Sequence, residues 1–103
     1  MKIKWNSSAR ADMRQVARYV NRKFGRKARQ EFMQRVKDAE QRLATQPNIG
    51  PIDPLYADHP LTYRSVIING LNKMVYRVDG DIIYIVDFWD TRREPVNQAR
   101  QTE

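Results

Sequence analysis

The sequence predicts an α+β fold in which a helical hairpin packs on a mainly antiparallel four-stranded sheet, in the order β-α-α-β-β-β. Three observations carry this expectation. The chain contains three consecutive β-rich runs, Thr62–Ile68, Asn72–Val78 and Ile82–Phe88, and Asp79-Gly80 stands between the last two. An Asp-Gly pair between such runs is a strong hairpin signal. Ahead of them lie two stretches with apolar residues at helical spacing, separated only by Gly25, and so short a connection implies an antiparallel α-hairpin.

The elements follow in chain order. Lys2–Trp5 alternates lysine with Ile3 and Trp5, a short strand pattern. Ser7 and Ser8 are candidate N-caps of the first helix, and Asp12 lies where an acid complements the helix dipole. Met13, Val16, Ala17, Val20 and Phe24 form its apolar stripe, and Gly25 is the expected residue beyond its end. The second helix opens at about Arg26, carries Ala28, Phe32, Val36, Ala39 and Leu43 on one face, and ends before Pro47. Residues 46–60 hold four prolines and Gly50 and read as a loop, pinned by Ile49, Ile52, Leu55 and Tyr56. Residues 1–95 read as one domain and 96–103 as a polar tail.

With Asp79-Gly80 at the centre of the hairpin turn, Val78 falls opposite Asp81. Met74, Tyr76 and Val78 then share one mainly apolar face with Asp81, Ile83 and Ile85, which the helices are expected to cover. Lys73, Val75 and Arg77 share the other face with Ile82, Tyr84 and Val86, and this face is expected to be open. Arg64 joins it only if its strand aligns that way, which the Asn69-Gly70-Leu71 connection does not fix.

Composition narrows the function classes. Nineteen Lys and Arg against twelve Asp and Glu give the 103-residue chain a formal charge of +7, which suits an acidic partner such as nucleic acid, a ribosomal surface or an acidic protein. With no Cys and one His, disulfides and thiolate zinc sites are excluded and no metal site is expected. No run reaches the length of a membrane span and no apolar leader opens the chain, so a cytoplasmic location is expected. Walker, nucleophile-elbow and HExxH motifs are absent.

The remaining candidates are cationic and phenolic: Arg64, Lys73, Arg77, Tyr84, Arg92 and Arg93. Guanidinium groups bind phosphate oxygens in pairs and stabilise charge growing on phosphorus. A Lys or Tyr among cations has its pKa lowered toward proton transfer. RNA supplies its own 2′-OH nucleophile, so metal-free, cofactor-free RNA cleavage is chemically possible with this set. The alternative stands beside it: Lys73 and Arg77 as solvated strand residues covered by Tyr84, Arg64 paired with Asp87 or Asp90, and Arg92-Arg93 as a salt-bridged strand exit. His59 in Asp58-His59-Pro60 is either an exposed loop residue or an acid–base group. The basic run Arg22–Arg29 at the helical turn is either a solvated tip or a polyanion contact.

The chain resembles the RelE/ParE superfamily of toxins from bacterial type II toxin–antitoxin systems. The resemblance runs from about Trp5 to Pro95 and rests on Ala9–Met13, the helix ending in Leu43 before Pro47, and the loop with Gly50. It rests further on Tyr63-Arg64-Ser65, on Asn72–Val78 and on Ile85–Pro95 with its Arg92-Arg93-Glu94-Pro95 exit. The resemblance implies a toxin neutralised by an acidic antitoxin, and two activities: the RelE-like branch cleaves mRNA in the ribosome, whereas the ParE-like branch inhibits DNA gyrase. By position, Arg64, Lys73 and Arg92 carry over as cleavage residues, with Tyr84 as a candidate proton carrier and Arg77 and Arg93 as RNA contacts. The RelE branch often has an aromatic or His acid–base residue after the final Arg. Here Glu94–Gln98 contains none. The +7 charge and the cation–phenol face favour the ribosome-dependent endonuclease; the gyrase inhibitor is the alternative, followed by an inactive antitoxin-binding member.

Overall fold

The computed structural model describes residues 1–70 and 72–90; the Arg92 and Arg93 candidates and the polar tail lie outside the described residues. The elements are β1 (Lys2–Trp5), α1 (Ser7–Phe24), α2 (Arg26–Thr45), β2 (Arg64–Ile67), β3 (Asn72–Asp79) and β4 (Ile82–Asp90), with a 3₁₀ turn at Pro54–Tyr56. The expected order therefore holds. The sheet runs β1-β4-β3-β2, with β1 parallel to β4 and both other pairs antiparallel.

The helices form where the apolar spacing put them, with corrected ends. Asn6, not Ser7 or Ser8, caps α1: its Oδ1 accepts the Ala9 N–H at 2.7 Å, and Asp12 lies past the first turn, which holds no acid. Gly25 closes α1 at φ +96° and leads directly into α2, a left-handed conformation open to glycine. Ala9, Met13 and Ala17 of α1 and Phe32, Val36, Ala39 and Leu43 of α2 are buried against the sheet. Phe24 is not part of that face; it stands 65% exposed at the hairpin tip.

The β-hairpin turns one residue later than expected. Asp79 pairs with Ile82, so Gly80-Asp81 forms the loop, with Gly80 at φ +61° and Asp81 at negative φ. That pattern suits a turn with glycine in its first central position. Moving the turn by one residue on each strand preserves side-chain parity, so Met74, Tyr76, Ile83 and Ile85 do face the helices, each fully buried. A bulge then shifts the register between Val75 and Tyr76: Tyr76 pairs with Ile85 but Val75 with Asp87, leaving Val86 as the extra residue. Ile85 and Phe88, three positions apart, thereby both reach the core, and Asp87 and Trp89 pass to the opposite face with Lys73 and Val75.

That opposite face is not open throughout. The loop after α2 runs along the free edge of β2, where Ile52 bridges Arg64, the Ser65 N–H donates to Pro51 O at 3.1 Å and the Asp53 N–H donates to Tyr63 O at 2.8 Å, and from that edge Asp53 reaches Lys73 on this face. Ser65, Lys73 and Val75 are buried beneath it. Of the expected apolar pins, Ile49 and Ile52 are exposed, whereas Leu55 and Tyr56 are half-buried and Tyr56 packs against Tyr63. On the helix side of the β2 edge, polar contacts add to them, with Gly50 as their focus. Tyr76 Oη accepts the Gly50 N–H at 3.1 Å and donates to Pro47 O at 2.7 Å, while Arg64 donates to Gly50 O at 2.9 Å.

Candidate functional site

The proposed cation–phenol set separates into three places. Register pairs Arg64 with Tyr76, so Arg64 belongs to the helix-side face and spans to Gly50 O. Lys73, opposite Ile67 and Trp89, belongs to the other face. The two residues are thus divided by the sheet itself, and Arg64 does not join the Lys73, Arg77 and Tyr84 group.

Lys73 sits in the loop-covered half. Its ammonium pairs with Asp53, and both side chains are almost wholly removed from solvent. Asp53 is fixed by the turn it starts: its Oδ1 accepts the Leu55 N–H at 2.9 Å and Pro54 opens the 3₁₀ turn. Sequence reading missed this carboxylate. Its signal was an Asp-Pro step, an N-cap pattern, with nothing local to announce a partner twenty residues away.

Around that pair lies an aromatic and acidic group. Tyr56 donates to Asp87 Oδ2 at 2.8 Å, its ring lies 4.7 Å from that of Tyr63, and the His59 ring meets Tyr63 edge-on at 4.8 Å. Burial pushes the Tyr56 phenol well above its ordinary range, and the Asp87 carboxylate reinforces the shift. The Trp89 indole opposes it weakly, its buried Nε1 making no regular hydrogen bond. Tyr56 is therefore a fixed proton donor, poorly suited to giving its proton up near neutral pH. His59 is exposed, and its Nδ1 accepts the Leu61 N–H at 3.0 Å, which ties that nitrogen to the loop.

The half that remains open is carried by β1, β4 and the turn end of β3. Arg77 lies opposite Tyr84, and Lys4 pairs with Tyr84 from the other side. The Arg77 guanidinium stacks 4.5 Å from the Tyr84 ring centroid and approaches Asp79 at 3.5 Å. This row of Lys4, Tyr84 and Arg77 can bind an anion. The second cleavage cation, Lys73, is absent from it. Among the described residues no group of three His, Asp or Glu side chains could hold a metal ion, and no helix is long and apolar enough to cross a membrane.

Comparison with known proteins agrees with this architecture. The family described as "ParE toxin of type II toxin-antitoxin system, parDE" matches residues 3–95. A structure titled "Chromosomal ParDE TA system from P. aeruginosa" superposes with a TM-score of 0.70 at 21% identity, over 87% of this chain and 95% of that one. One titled "YoeB/ParE toxin from Agrobacterium tumefaciens" gives a TM-score of 0.60 at 21% identity, over 87% and 98%. No curated protein sequence matches significantly. At these identities the structural likeness speaks for the fold, including two helices on a four-stranded sheet.

Proposed function

Because the chain belongs to the ParE toxin family of type II toxin–antitoxin systems, we propose that it is a non-catalytic toxin that inhibits DNA gyrase in the cytoplasm and is silenced by a cognate acidic antitoxin. The observation that carries the choice of target is the buried Lys73–Asp53 pair. A cation that must meet a phosphodiester cannot do so from beneath a loop with its charge already compensated. Two further observations point the same way. Arg64 is on the opposite face of the sheet from Lys73, and the Tyr56 phenol, beside that pair, holds its proton tightly. On this reading the gyrase inhibitor ranks above the endonuclease, which the +7 charge and the cation–phenol face favoured.

Purified toxin added to gyrase, relaxed plasmid and ATP should block supercoiling or trap cleaved DNA. The same protein added to a purified translation system should leave mRNA 5′ ends unchanged. Cleavage within codons of the translated mRNA, with gyrase unaffected, would overturn the proposal in favour of the ribosome-dependent endonuclease.

A further inference from the structure

We infer that the outward face of α1 is a docking surface for the phosphate backbone of duplex DNA. Arg10, Arg14, Arg18 and Arg22 recur at every fourth position along this helix, and all four are exposed. Ala9, Met13 and Ala17, each next to one of them in sequence, turn into the core, so the arginines lie on the flank and back of the helix. Four residues of α-helix rise about 6 Å, which spreads the row over about 18 Å, about half a turn of B-DNA.

The row is not explained by the stability of the helix that carries it. Like charges four apart on a helix repel and weaken it. Asp12 is the sole acid within α1, and among the described residues no carboxylate pairs with any of the four arginines. Neighbouring α2 differs: its Arg26, Lys27, Arg29, Arg35, Lys37 and Arg42 are interspersed with Glu31, Asp38 and Glu40. Near the start of the α1 row, the Arg10 guanidinium rests 5.3 Å from the Trp5 ring centroid, which restrains it while leaving it solvent-accessible. At the other end the row runs into Lys23, Arg26 and Lys27 of the hairpin tip.

The identity and regularity of the residues indicate the kind of partner. A repeated row of one cation fits a polymer with evenly repeated anions better than it fits the irregular surface of a folded protein. Guanidinium, planar and able to bind two oxygens at once, is the side chain suited to phosphate. Duplex DNA is chosen over other polyanions on the strength of the gyrase target proposed above, since a gyrase inhibitor meets its enzyme on that polymer. The surface is distinct from the sheet face of Lys4, Tyr84 and Arg77, because α1 packs on the opposite side of the sheet.

The test is binding of the full chain to a fluorescent mixed-sequence duplex of about two helical turns, roughly 20 bp, at salt from about 50 to about 200 mM. Four phosphate contacts predict an affinity that falls about a hundredfold over that range. Replacing the four arginines by Gln should abolish most of this salt dependence while leaving the thermal midpoint unchanged or higher, and replacing them by Lys should retain it. A second variant, with Lys2, Arg35, Lys37 and Arg42 replaced by Gln, matches the charge loss at exposed positions outside both rows and should bind nearly as well as the parent. Equal loss in both Gln variants would overturn the inference by reducing it to net charge. Equal binding of a single-stranded RNA of the same length would overturn the choice of duplex DNA. Gyrase inhibition is read separately: toxin that binds duplex through the row yet spares gyrase refutes the proposed target alone, whereas inhibition with row-independent DNA binding refutes the docking surface alone.

Discussion

Lys73 of β3 and Asp53 of the preceding loop form a buried ion pair that fastens the loop across the sheet. Removing one partner of such a pair strands the other charge without solvent and costs about 3–5 kcal/mol. Lys73→Ala should therefore lower stability by about that amount in urea denaturation. Lys73→Met combined with Asp53→Leu should recover most of the loss, because a buried pair replaced by apolar groups is often nearly neutral. Wild-type stability in Lys73→Ala would show that the pair holds nothing. Loss of toxicity in that single variant would accordingly report unfolding rather than lost catalysis.

Tyr76→Phe removes a hydroxyl that serves two backbone groups, the Gly50 N–H and the Pro47 carbonyl. The ring stays and the core volume is nearly constant, so the effect isolates the polar contacts. An expected loss of about 1–3 kcal/mol follows from leaving buried backbone groups unpaired. Hydrogen exchange at the Gly50 amide should accelerate in parallel, and an unchanged rate would contradict this reading of the contact.

Gly50→Ala should cost about 1–3 kcal/mol for a different reason, overpacking. A Cβ at this position would stand 2.5 Å from the Ser65 carbonyl oxygen and 3.0 Å from the Tyr76 hydroxyl. The backbone oxygen cannot retreat without disturbing β2. By contrast, nothing lies within 4 Å of a Cβ at Gly70, so Gly70→Ala carries only the strain of its φ of +85°. Thermal melts of the two variants should differ accordingly, with Gly50→Ala the less stable.

Alkaline pH should destabilise the fold through two tyrosines. Burial raises the pKa of both Tyr56 and Tyr76 above the ordinary tyrosine value of 10.0. The protonated phenols therefore favour the folded state. Their contribution is complete below pH 10 and is lost as pH rises, because the unfolded chain releases protons that the folded one retains. Ultraviolet titration should show two phenols that ionise above the ordinary tyrosine range. Tyr56→Phe should remove one of them and flatten the alkaline decline.

Much of the fold was legible in residue spacing, and the exceptions have identifiable causes. Met74, Tyr76, Ile83 and Ile85 could be assigned to the core because alternation survives a turn displaced by one residue on each strand. The bulge at Val86 could not, since no glycine or other local mark accompanies it, and it alone carries Asp87 and Trp89 to the side of Lys73. Residue spacing assigns Arg64 no face, because a loose connection leaves the register of β2 undetermined. It is settled by the pairing of Arg64 with Tyr76. Asp53 was invisible as a functional neighbour because a Pro-rich segment announces a turn and not the distant strand it covers. Phe24 satisfied helical periodicity, yet at the last turn of α1 the hairpin has already run past the sheet that would bury it.

The parallel pairing of β1 with β4 sets an order of events during synthesis. Lys2 pairs with Ile82 and Trp5 with Ile85, and the Asn6 side chain reaches Val86 across 80 residues of chain. During synthesis β1 must wait for the strand made some eighty residues later before it finds its place. Until then α1 has no β4 to pack on, and the core has no floor. Contacts of such long sequence separation also slow the search for the native state. A chain wired in this way completes its sheet only after its translation is well advanced.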